Sequence, residues 1–324
     1  MKILLLIVLA AVALAALLLA FLFLFTWRTA RRIGAAFPPT GRFVEVPGAR
    51  LHVVERGEGQ PVLLVHGLSG QLANFDYGMI GPLARDHRVV AVDRPGAGWS
   101  TRAPGASADL KAQADTLAAL IDQLGLEKPL VVGHSLGGAI ALALAAYHPE
   151  RVGGLALIAP LTHPPEVVSP VFAAMAMKSA FARKLIAWTL LIPMSIRNRE
   201  QVMDIVFGPD SVPEDFPTRG GGLLALRPGH FLAASEDLRG VPDSLPALLP
   251  LYGTLQVPVS ILFGREDRIL DYRENGEAFV ARLPHARLTL VSGGHMLPVT
   301  AVDTSVAFVR EAAASLAQPV TADA

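Results

Sequence analysis

Hydrophobic residues are distributed very differently in the first part of the chain and in the rest. Residues 3–25 contain no charged and no polar side chain. A helix over this run rises about 1.5 Å per residue and is long enough to cross the ~30 Å hydrocarbon core of a bilayer. A cleaved signal peptide usually has a shorter apolar region, and a buried soluble helix is seldom apolar on every side. The pattern therefore predicts an uncleaved N-terminal transmembrane anchor.

After the anchor, short apolar runs alternate with stretches of helical periodicity. The runs are bounded by turn residues, which is typical of strands buried on both faces of a parallel sheet. This alternation predicts a doubly wound sheet flanked by helices on both faces. The predicted strands are a hairpin over residues 43–46 and 50–56, then 61–65, 88–92, 129–132, 152–159, 257–263 and 286–291, with helices over 109–124, 139–147, 272–282 and 298–316.

The alternation stops between residues 161 and 253. This segment has proline-rich turns, three consecutive glycines at 220–222 and helical pieces such as residues 171–191. We therefore expect a mostly helical insertion within one α/β domain. The predicted organisation is an anchor with its flank (1–34), a linker (35–41), the α/β core (42–160 and 254–318), a helical cap (161–253) and a tail (319–324).

Composition excludes several kinds of site. The 324 residues include 28 basic, 28 acidic and no cysteine side chains. Disulfides, thiolate nucleophiles and cysteine-based metal sites are therefore excluded, although the compartment is not fixed by this. The balanced charge argues against a broad nucleic-acid surface, so no nucleic-acid partner is expected.

The charges that flank the anchor give only a small preference for one orientation. Lys2 and the amino terminus lie at one end, and Arg28, Arg31 and Arg32 lie at the other, next to the interfacial aromatic residue Trp27. The count favours the cytoplasmic side for the rest of the chain by a single charge. We expect a single-pass membrane protein and leave its orientation and its oligomeric state open.

A glycine-rich hexapeptide lies between a predicted strand and a predicted helix: Gly133-His134-Ser135-Leu136-Gly137-Gly138. A serine at the centre of such a G-x-S-x-G pattern sits on a sharp turn that exposes its hydroxyl. Side chains at Gly133 or Gly137 would collide in so tight a turn, and Gly138 allows the helix to pack closely. No Lys-Ser/Thr pair follows, which disfavours a phosphate-binding loop. The pattern predicts Ser135 as a nucleophile.

A serine hydroxyl needs an adjacent base to act as a nucleophile at neutral pH. Among nine histidines, His295 is the candidate, because it follows the last predicted strand. That position places it at the same carboxyl edge of the sheet as the Ser135 turn. His134 is adjacent in sequence but should point away from the hydroxyl, so we assign it to the support of the turn.

The imidazole needs a carboxylate that holds its tautomer and stabilises its charged form. Asp267 lies four residues past a predicted strand and reaches the same edge of the sheet. Glu266 and Asp271 are the alternatives. Asp93, which follows an earlier strand, is interpreted as structural.

The oxyanion of an acyl-transfer intermediate needs backbone donors. The N–H of Leu136, directly after the nucleophile, is one candidate. The loop after the strand at 61–65 supplies the other, and we choose the N–H of Leu68. His66 and Gly67 in that loop are expected to support the turn rather than to act as a base.

These motifs together resemble the α/β-hydrolase superfamily, in particular its members with a helical cap. The resemblance covers residues 43 to about 316. It implies a mostly parallel sheet of eight strands flanked by helices, with the cap of residues 161–253 over the site. The branches with an aspartate nucleophile, the dehalogenases and epoxide hydrolases, are inconsistent with Ser135. The motifs are His66-Gly67, Asp93 with Gly96 and Gly98, the Ser135 turn, Gly264-x-x-Asp267 and Gly294-His295.

The resemblance and the residues together predict a serine hydrolase that cleaves carboxylic esters of apolar or lipid-like acyl groups. No cofactor and no metal ion are expected. The expected partners are a small-molecule ester and, through residues 3–25, membrane lipid. The alternatives are another reaction of the same three residues, namely C–C bond hydrolysis, cofactor-free perhydrolysis or acyl transfer, and a non-catalytic membrane-anchored binding protein.

Overall fold

The computed structural model describes residues 1–164 and 169–316; the predicted tail (319–324) lies outside these ranges. A sheet of nine strands forms the centre of the molecule. The strands are β1 (Arg42–Val46), β2 (Ala49–Arg56), β3 (Gln60–Val65), β4 (His87–Val92), β5 (Thr101–Arg102), β6 (Leu130–His134), β7 (Gly154–Ile158), β8 (Val259–Gly264) and β9 (Arg287–Val291).

Eight strands follow the order β1-β2-β4-β3-β6-β7-β8-β9, and β5 pairs with β2. The hairpin β1–β2 and the pair β2–β4 are antiparallel. Every neighbouring pair from β4 to β9 is parallel. The predicted doubly wound, mostly parallel sheet is therefore confirmed. The additional strand, β5, has only two residues, too few to show any periodicity.

Helices cover both faces of this sheet. Val131 of β6 packs in one apolar cluster with Leu117 and Ile140, while the next residue, Val132, packs in a second cluster with Val309. Burial on both faces explains why the strands are continuous apolar runs. The described helices outside the segment between β7 and β8 are α1 (Lys2–Ala36), α2 (Ala73–Asp76), α3 (Ile80–Leu83), α4 (Leu110–Leu124) and α5 (Leu136–Tyr147), and, near the C-terminus, α11 (Ala278–Arg282), α12 (Leu297–Thr300) and α13 (Val302–Leu316).

The segment between β7 and β8, here called the cap segment (residues 161–253, without the undescribed 165–168), is helical. The predicted helical stretch at 171–191 is divided, because Ser179 starts a new helix by accepting a hydrogen bond from the N–H of Ala182. The helices of the cap segment are α6 (Ala173–Ala176), α7 (Ala180–Thr189), α8 (Leu191–Arg197), α9 (Arg199–Phe207) and α10 (Pro228–Leu248).

Helix α1 is long and apolar enough to cross a membrane, and its most apolar stretch is not buried in the protein. The helix runs past residue 25 and ends at Ala36. Its end is explained by Pro38, which forces the preceding residue, Phe37, out of the helical conformation. The membrane-length helix therefore continues without interruption onto the surface of the α/β domain.

Candidate active site

Ser135 lies at the junction between β6 and α5, at the carboxyl edge of the sheet. Its backbone has φ 54° and ψ −121°, a strained conformation for a residue with a side chain. Two backbone hydrogen bonds hold it: Ser135 N–H donates to the Ile158 carbonyl (3.1 Å), and Leu161 N–H donates to the Ser135 carbonyl (3.0 Å). Gly138 allows α5 to approach the next strand, since a Cβ there would lie 2.5 Å from Cβ of Pro160.

Three neighbouring glycines leave the space that this turn needs. A Cβ on Gly137 would lie 2.1 Å from the backbone oxygen of Val65, and one on Gly133 would lie 2.5 Å from the backbone oxygen of Gly137. A Cβ on Gly67 would lie 2.8 Å from Cβ of Ser135. The loop after β3 therefore passes directly beside the serine.

His295 and Asp267, which follow β9 and β8, are brought together at the same edge. Nδ1 of His295 lies 2.7 Å from Oδ2 of Asp267, and both side chains are nearly inaccessible to solvent. The other carboxylate oxygen accepts hydrogen bonds from the N–H groups of Ile269 (2.7 Å) and Leu270 (3.0 Å). These donors fix the carboxylate in place, so that its other oxygen accepts the Nδ1 proton of the imidazole and leaves Nε2 free to accept one.

The two alternative carboxylates have other roles. Glu266 accepts a hydrogen bond from the N–H of Gly293 at 2.7 Å and so fixes the loop before His295. Asp271 accepts one from the N–H of Arg273 at 2.8 Å. The structure thus pairs His295 with the predicted Asp267.

His134 supports the site from behind. Its Nε2 lies 2.9 Å from the backbone oxygen of His295 and donates to it, and the two rings are 5.0 Å apart. Burial, assisted by the nearby His295 ring, lowers the pKa of His134 to about 3. His134 is therefore a neutral donor that links the serine turn to the histidine loop.

Ser135 and His295 line the same cavity. Within the described residues, the Ser135 hydroxyl makes no hydrogen bond to the imidazole; such contacts commonly tighten only when substrate is bound. The hydroxyl and the imidazole therefore lie on one cavity wall, and the carboxylate of Asp267 already holds the imidazole through Nδ1.

The predicted oxyanion donors line this cavity too. Leu136 is the first residue of α5, where the N–H has no partner within the helix. In the described part of the chain, the N–H of Leu68 donates to no other protein atom. Two free backbone donors beside a serine hydroxyl can stabilise the oxyanion that forms on a substrate's carbonyl oxygen when that hydroxyl attacks it.

His66 makes two hydrogen bonds in the loops that follow β3 and β4. Its Nε2 accepts a hydrogen bond from the N–H of Arg94 (2.9 Å), so its Nδ1 carries the proton and donates to the carbonyl of Gly67 (2.9 Å). Burial, followed by the nearby Arg94 charge, lowers the pKa of His66 well below its usual value. The imidazole thus stays neutral and fixes the loop that carries Leu68.

Sequence reasoning missed Arg94, which organises that loop. Its guanidinium, 1% exposed, donates to the carbonyls of His66 and Gly67, each at 2.9 Å. The same group pairs with Asp237 of α10 at 2.6 Å and with Gln113 of α4 at 2.7 Å. The only sequence signal for Arg94 is its position two residues after β4, because Asp237 is 143 residues away.

Asp93 is structural, in agreement with its interpretation from sequence. Its carboxylate accepts hydrogen bonds from the N–H groups of Leu72 and Trp99, each at 2.8 Å. Nδ1 of His52 contacts it at 2.8 Å. It therefore ties the loops that follow β3 and β4 to strand β2.

Two residues of the cap segment also hold the edge of the site, and sequence reasoning missed both as supports. Asp210 accepts hydrogen bonds from the N–H of Gly294 (3.0 Å) and from the hydroxyl of Thr300 (2.9 Å). His230 accepts one from the N–H of Gly98 (3.1 Å), and its Nε2 donates to the carbonyl of Ser69 (3.1 Å). Neither lies in a motif, so only the folded cap shows these contacts.

The cavity has a volume of about 1370 Å³ and lies between the sheet edge and the cap segment. Its wall is mostly apolar, with contributions from α8, α9 and α10. Within residues 1–164 and 169–316, no group of three or more His, Asp or Glu side chains has the arrangement of a metal site. The site is suited to an uncharged or apolar ligand that reaches a serine hydroxyl.

Comparison with known proteins agrees with this architecture. A family model described as the alpha/beta hydrolase fold matches residues 60–302. A 2-hydroxy-6-oxononadienedioate/2-hydroxy-6-oxononatrienedioate hydrolase of Comamonas testosteroni is 30% identical over 247 residues, which are 74% of this chain and 82% of that protein.

Two solved structures are similar as well. A thermophilic esterase of Thermogutta terrifontis aligns with a TM-score of 0.67 and 25% identity, over 86% of this chain and 100% of the esterase. A membrane phospholipase A, described as a bacterial virulence factor, aligns with a TM-score of 0.69 and 24% identity, over 98% of this chain and 100% of that one. Because the identity to the phospholipase is only 24%, this similarity establishes the shared fold alone.

Proposed function

The chain belongs to the α/β-hydrolase fold family, and on that premise we propose that it is a membrane-anchored serine hydrolase of carboxylic esters with apolar acyl groups. The observation that carries the proposal is the 2.7 Å pair of His295 and Asp267 on the cavity that Ser135 lines. A carboxylate-oriented imidazole and a serine hydroxyl on the same cavity are the groups that acyl transfer requires.

The proposed reaction uses each of these groups in turn. Ser135 Oγ attacks the ester carbonyl while Nε2 of His295 takes its proton, and the N–H groups of Leu68 and Leu136 stabilise the oxyanion. The alkoxide leaves with the proton from His295, and an acyl-serine remains. Water, deprotonated by the same imidazole, then releases the acid and restores the hydroxyl. Asp267 stays ionised throughout.

The cavity wall supports an apolar acyl group. Side chains such as Met175, Ile186 and Leu191 face the cavity, while its arginines, Arg197 and Arg199, are exposed residues of the cap. Methionine and leucine side chains fit acyl chains of different length. A charged acyl group would meet no buried, unpaired cation among the described cavity residues.

The test is the variant Ser135→Ala, assayed with p-nitrophenyl esters of graded chain length and with a fluorophosphonate probe. We expect kcat to fall roughly 10⁴-fold or more, because the nucleophile is lost, and the probe to label only the wild type. Ser195→Ala, which removes another cavity-lining hydroxyl, should keep both labelling and turnover. Undiminished turnover by Ser135→Ala would refute the proposal.

C–C bond hydrolysis is the second candidate. The Comamonas testosteroni relative is named as a hydrolase of an oxo-dienedioate, a type of compound that has no ester bond. Hydrolysis of such a compound has to break a bond between carbons. An oxo-dienedioate assayed beside the esters discriminates the two reactions, and the apolar cavity favours the esters.

The anchor is proposed from α1. The most apolar part of this helix is not buried in the protein, and a span of residues 3–25 fits the hydrocarbon layer. A signal sequence has the same general character, and a depth probe at Leu14 distinguishes it from an anchor that stays in the bilayer.

A further inference from the structure

Exposed apolar side chains are concentrated at one place outside α1. Within the described residues, all the exposed large hydrophobic side chains beyond α1 lie between residues 177 and 196, on α7, α8 and their flanks. Phe181 is 76% exposed and Ile196 is 65% exposed. Such a concentration of exposed apolar side chains on two consecutive helices marks a contact surface. We call it the docking face: Met177, Phe181, Leu185, Leu190, Met194 and Ile196.

The docking face adjoins α1 where this helix leaves its apolar run. The rings of Phe23 and Trp188 are 5.4 Å apart, and the hydroxyl of Thr26, which is fully buried, donates to the carbonyl of Thr189 at 3.4 Å. Ile33, two turns further along the helix, is also buried. The cap segment is therefore attached to the anchor at the level where the apolar run ends.

The two segments that form this junction carry charges of one sign, while Glu236 of α10 lies near Arg183. Residues 169–199 include five basic and no acidic side chains, and residues 1–44 also lack acidic ones. Lys178 and Lys184 lie near Phe181, and Arg197 follows Ile196 directly. Basic side chains beside an apolar face attract anionic lipid headgroups.

The same part of the cap leads to the serine. Met194, Ile196 and Arg197 of α8 line the cavity that Ser135 and His295 also line. A molecule that lies against α8 therefore has access to the cavity without first crossing the rest of the surface.

We propose that the docking face lies in the headgroup and upper acyl region of an anionic bilayer, and that ester substrates enter the cavity from this leaflet beside α8. The inference rests on the proposed esterase function and deepens it by identifying the substrate class as membrane-resident acyl esters. The proposal is based on three features that adjoin one another: helix α1, the docking face and the part of the cavity wall that α8 forms.

The absence of cysteine makes a direct test possible. Single substitutions Phe181→Cys, Ile196→Cys, Leu14→Cys and Gln256→Cys are labelled with an environment-sensitive fluorophore in the full chain. The proteins are reconstituted in phosphatidylcholine–phosphatidylglycerol vesicles that contain nitroxide-labelled lipids. Gln256 is exposed just before β8, at the opposite edge of the sheet from the cap, and is the matched control.

We expect shallow nitroxides to quench the probes at 181 and 196, deep nitroxides to quench the probe at 14, and neither to quench the probe at 256. Unquenched probes at 181 and 196 overturn the docking proposal. Cross-links between chains at 181 would assign the face to a second copy and overturn it too. An unquenched probe at 14 refutes the membrane anchor and leaves the docking face untouched. If a fluorophosphonate does not label the reconstituted chain, the serine mechanism is refuted and the docking face is not.

Entry from the leaflet is tested by Phe181→Glu, with Gln256→Glu as its control for an added charge. The measurement is the ratio of turnover of a long-chain ester embedded in vesicles to turnover of a short soluble ester. Phe181→Glu should lower this ratio roughly ten-fold or more, the loss expected when one aromatic side chain leaves an apolar phase. An unchanged ratio contradicts entry through this face.

Discussion

At the residue scale, the turn at Ser135 depends on glycines, because no space is left for a Cβ at these positions. Ser135 has a positive φ, and the neighbouring chain passes so close that Gly137 has a carbonyl oxygen within 2.1 Å of its ideal Cβ position. That oxygen belongs to β3, whose position is fixed by the sheet. A methyl group at this point cannot be accommodated by rotation of a flexible side chain.

Gly137→Ala should therefore destabilise the protein by about 1–3 kcal/mol or more and remove labelling of Ser135 by a fluorophosphonate. Gly229→Ala is the matched control, since Gly229 lies in the first turn of α10 with no atom within 4 Å of its ideal Cβ position. The control should be neutral or stabilise by about 0.5–1 kcal/mol, because alanine favours the helix. Urea unfolding measures both changes, and equal effects would contradict the role of Gly137.

At the element scale, Arg94 connects three parts of the fold. It donates to the loop after β3, to Gln113 on α4 and to Asp237 on α10. Asp237 also pairs with Arg102, which is itself mostly buried. The long cap helix is thereby attached to the loop that carries the Leu68 donor.

Arg94→Lys should keep the positive charge but lose the planar guanidinium group, whose N–H groups donate to several acceptors at once. We expect kcat to fall by roughly ten- to a hundred-fold, because the Leu68 N–H is displaced from the oxyanion, with a smaller change in KM. Arg88→Lys, which changes a partly buried arginine paired with Glu55 near the start of β4, is the control. Steady-state kinetics with a short ester measure both variants; a change confined to KM would show that Arg94 does not position the donor.

At the scale of the whole molecule, buried neutral histidines connect stability to pH. Burial lowers the pKa of His134 to about 3 and of His230 to about 4, and it lowers the pKa of His66 well below its usual value. In the unfolded chain these side chains titrate near their ordinary pKa of about 6.5. Below that pH the unfolded chain binds protons that the folded chain does not, so acid favours unfolding.

The free energy of unfolding should thus change little through these groups above pH 7. It should fall by roughly 1.4 kcal/mol per pH unit for each such histidine as the pH drops below about 6.5. Denaturant titrations of the reconstituted chain between pH 5 and pH 8 measure this slope. His230→Gln should make the slope shallower, whereas a change at the exposed His285 should not. A slope that is unaffected by His230→Gln contradicts the assignment.

The sequence by itself determined the features that depend on local geometry. The buried strands were predictable from unbroken apolar runs, because each face of the sheet is covered by helices. The Ser135 turn was predictable because its glycines are required within a few residues of the serine. Asp267 and His295 could be placed at the same edge, since residues that follow parallel strands meet there, and the structure brings their side chains to 2.7 Å.

Only the tertiary structure decided which distant groups meet across the cap. The pairing of Arg94 with Asp237 and the contact of Asp210 with Gly294 depend on how the cap helices pack on the sheet. The attachment of α1 beside α7 likewise depends on which side of the cap segment faces this helix. No local sequence pattern specifies these contacts, because the partners are separated by 80 or more residues. They depend on the packing of the cap segment against the sheet and against α1.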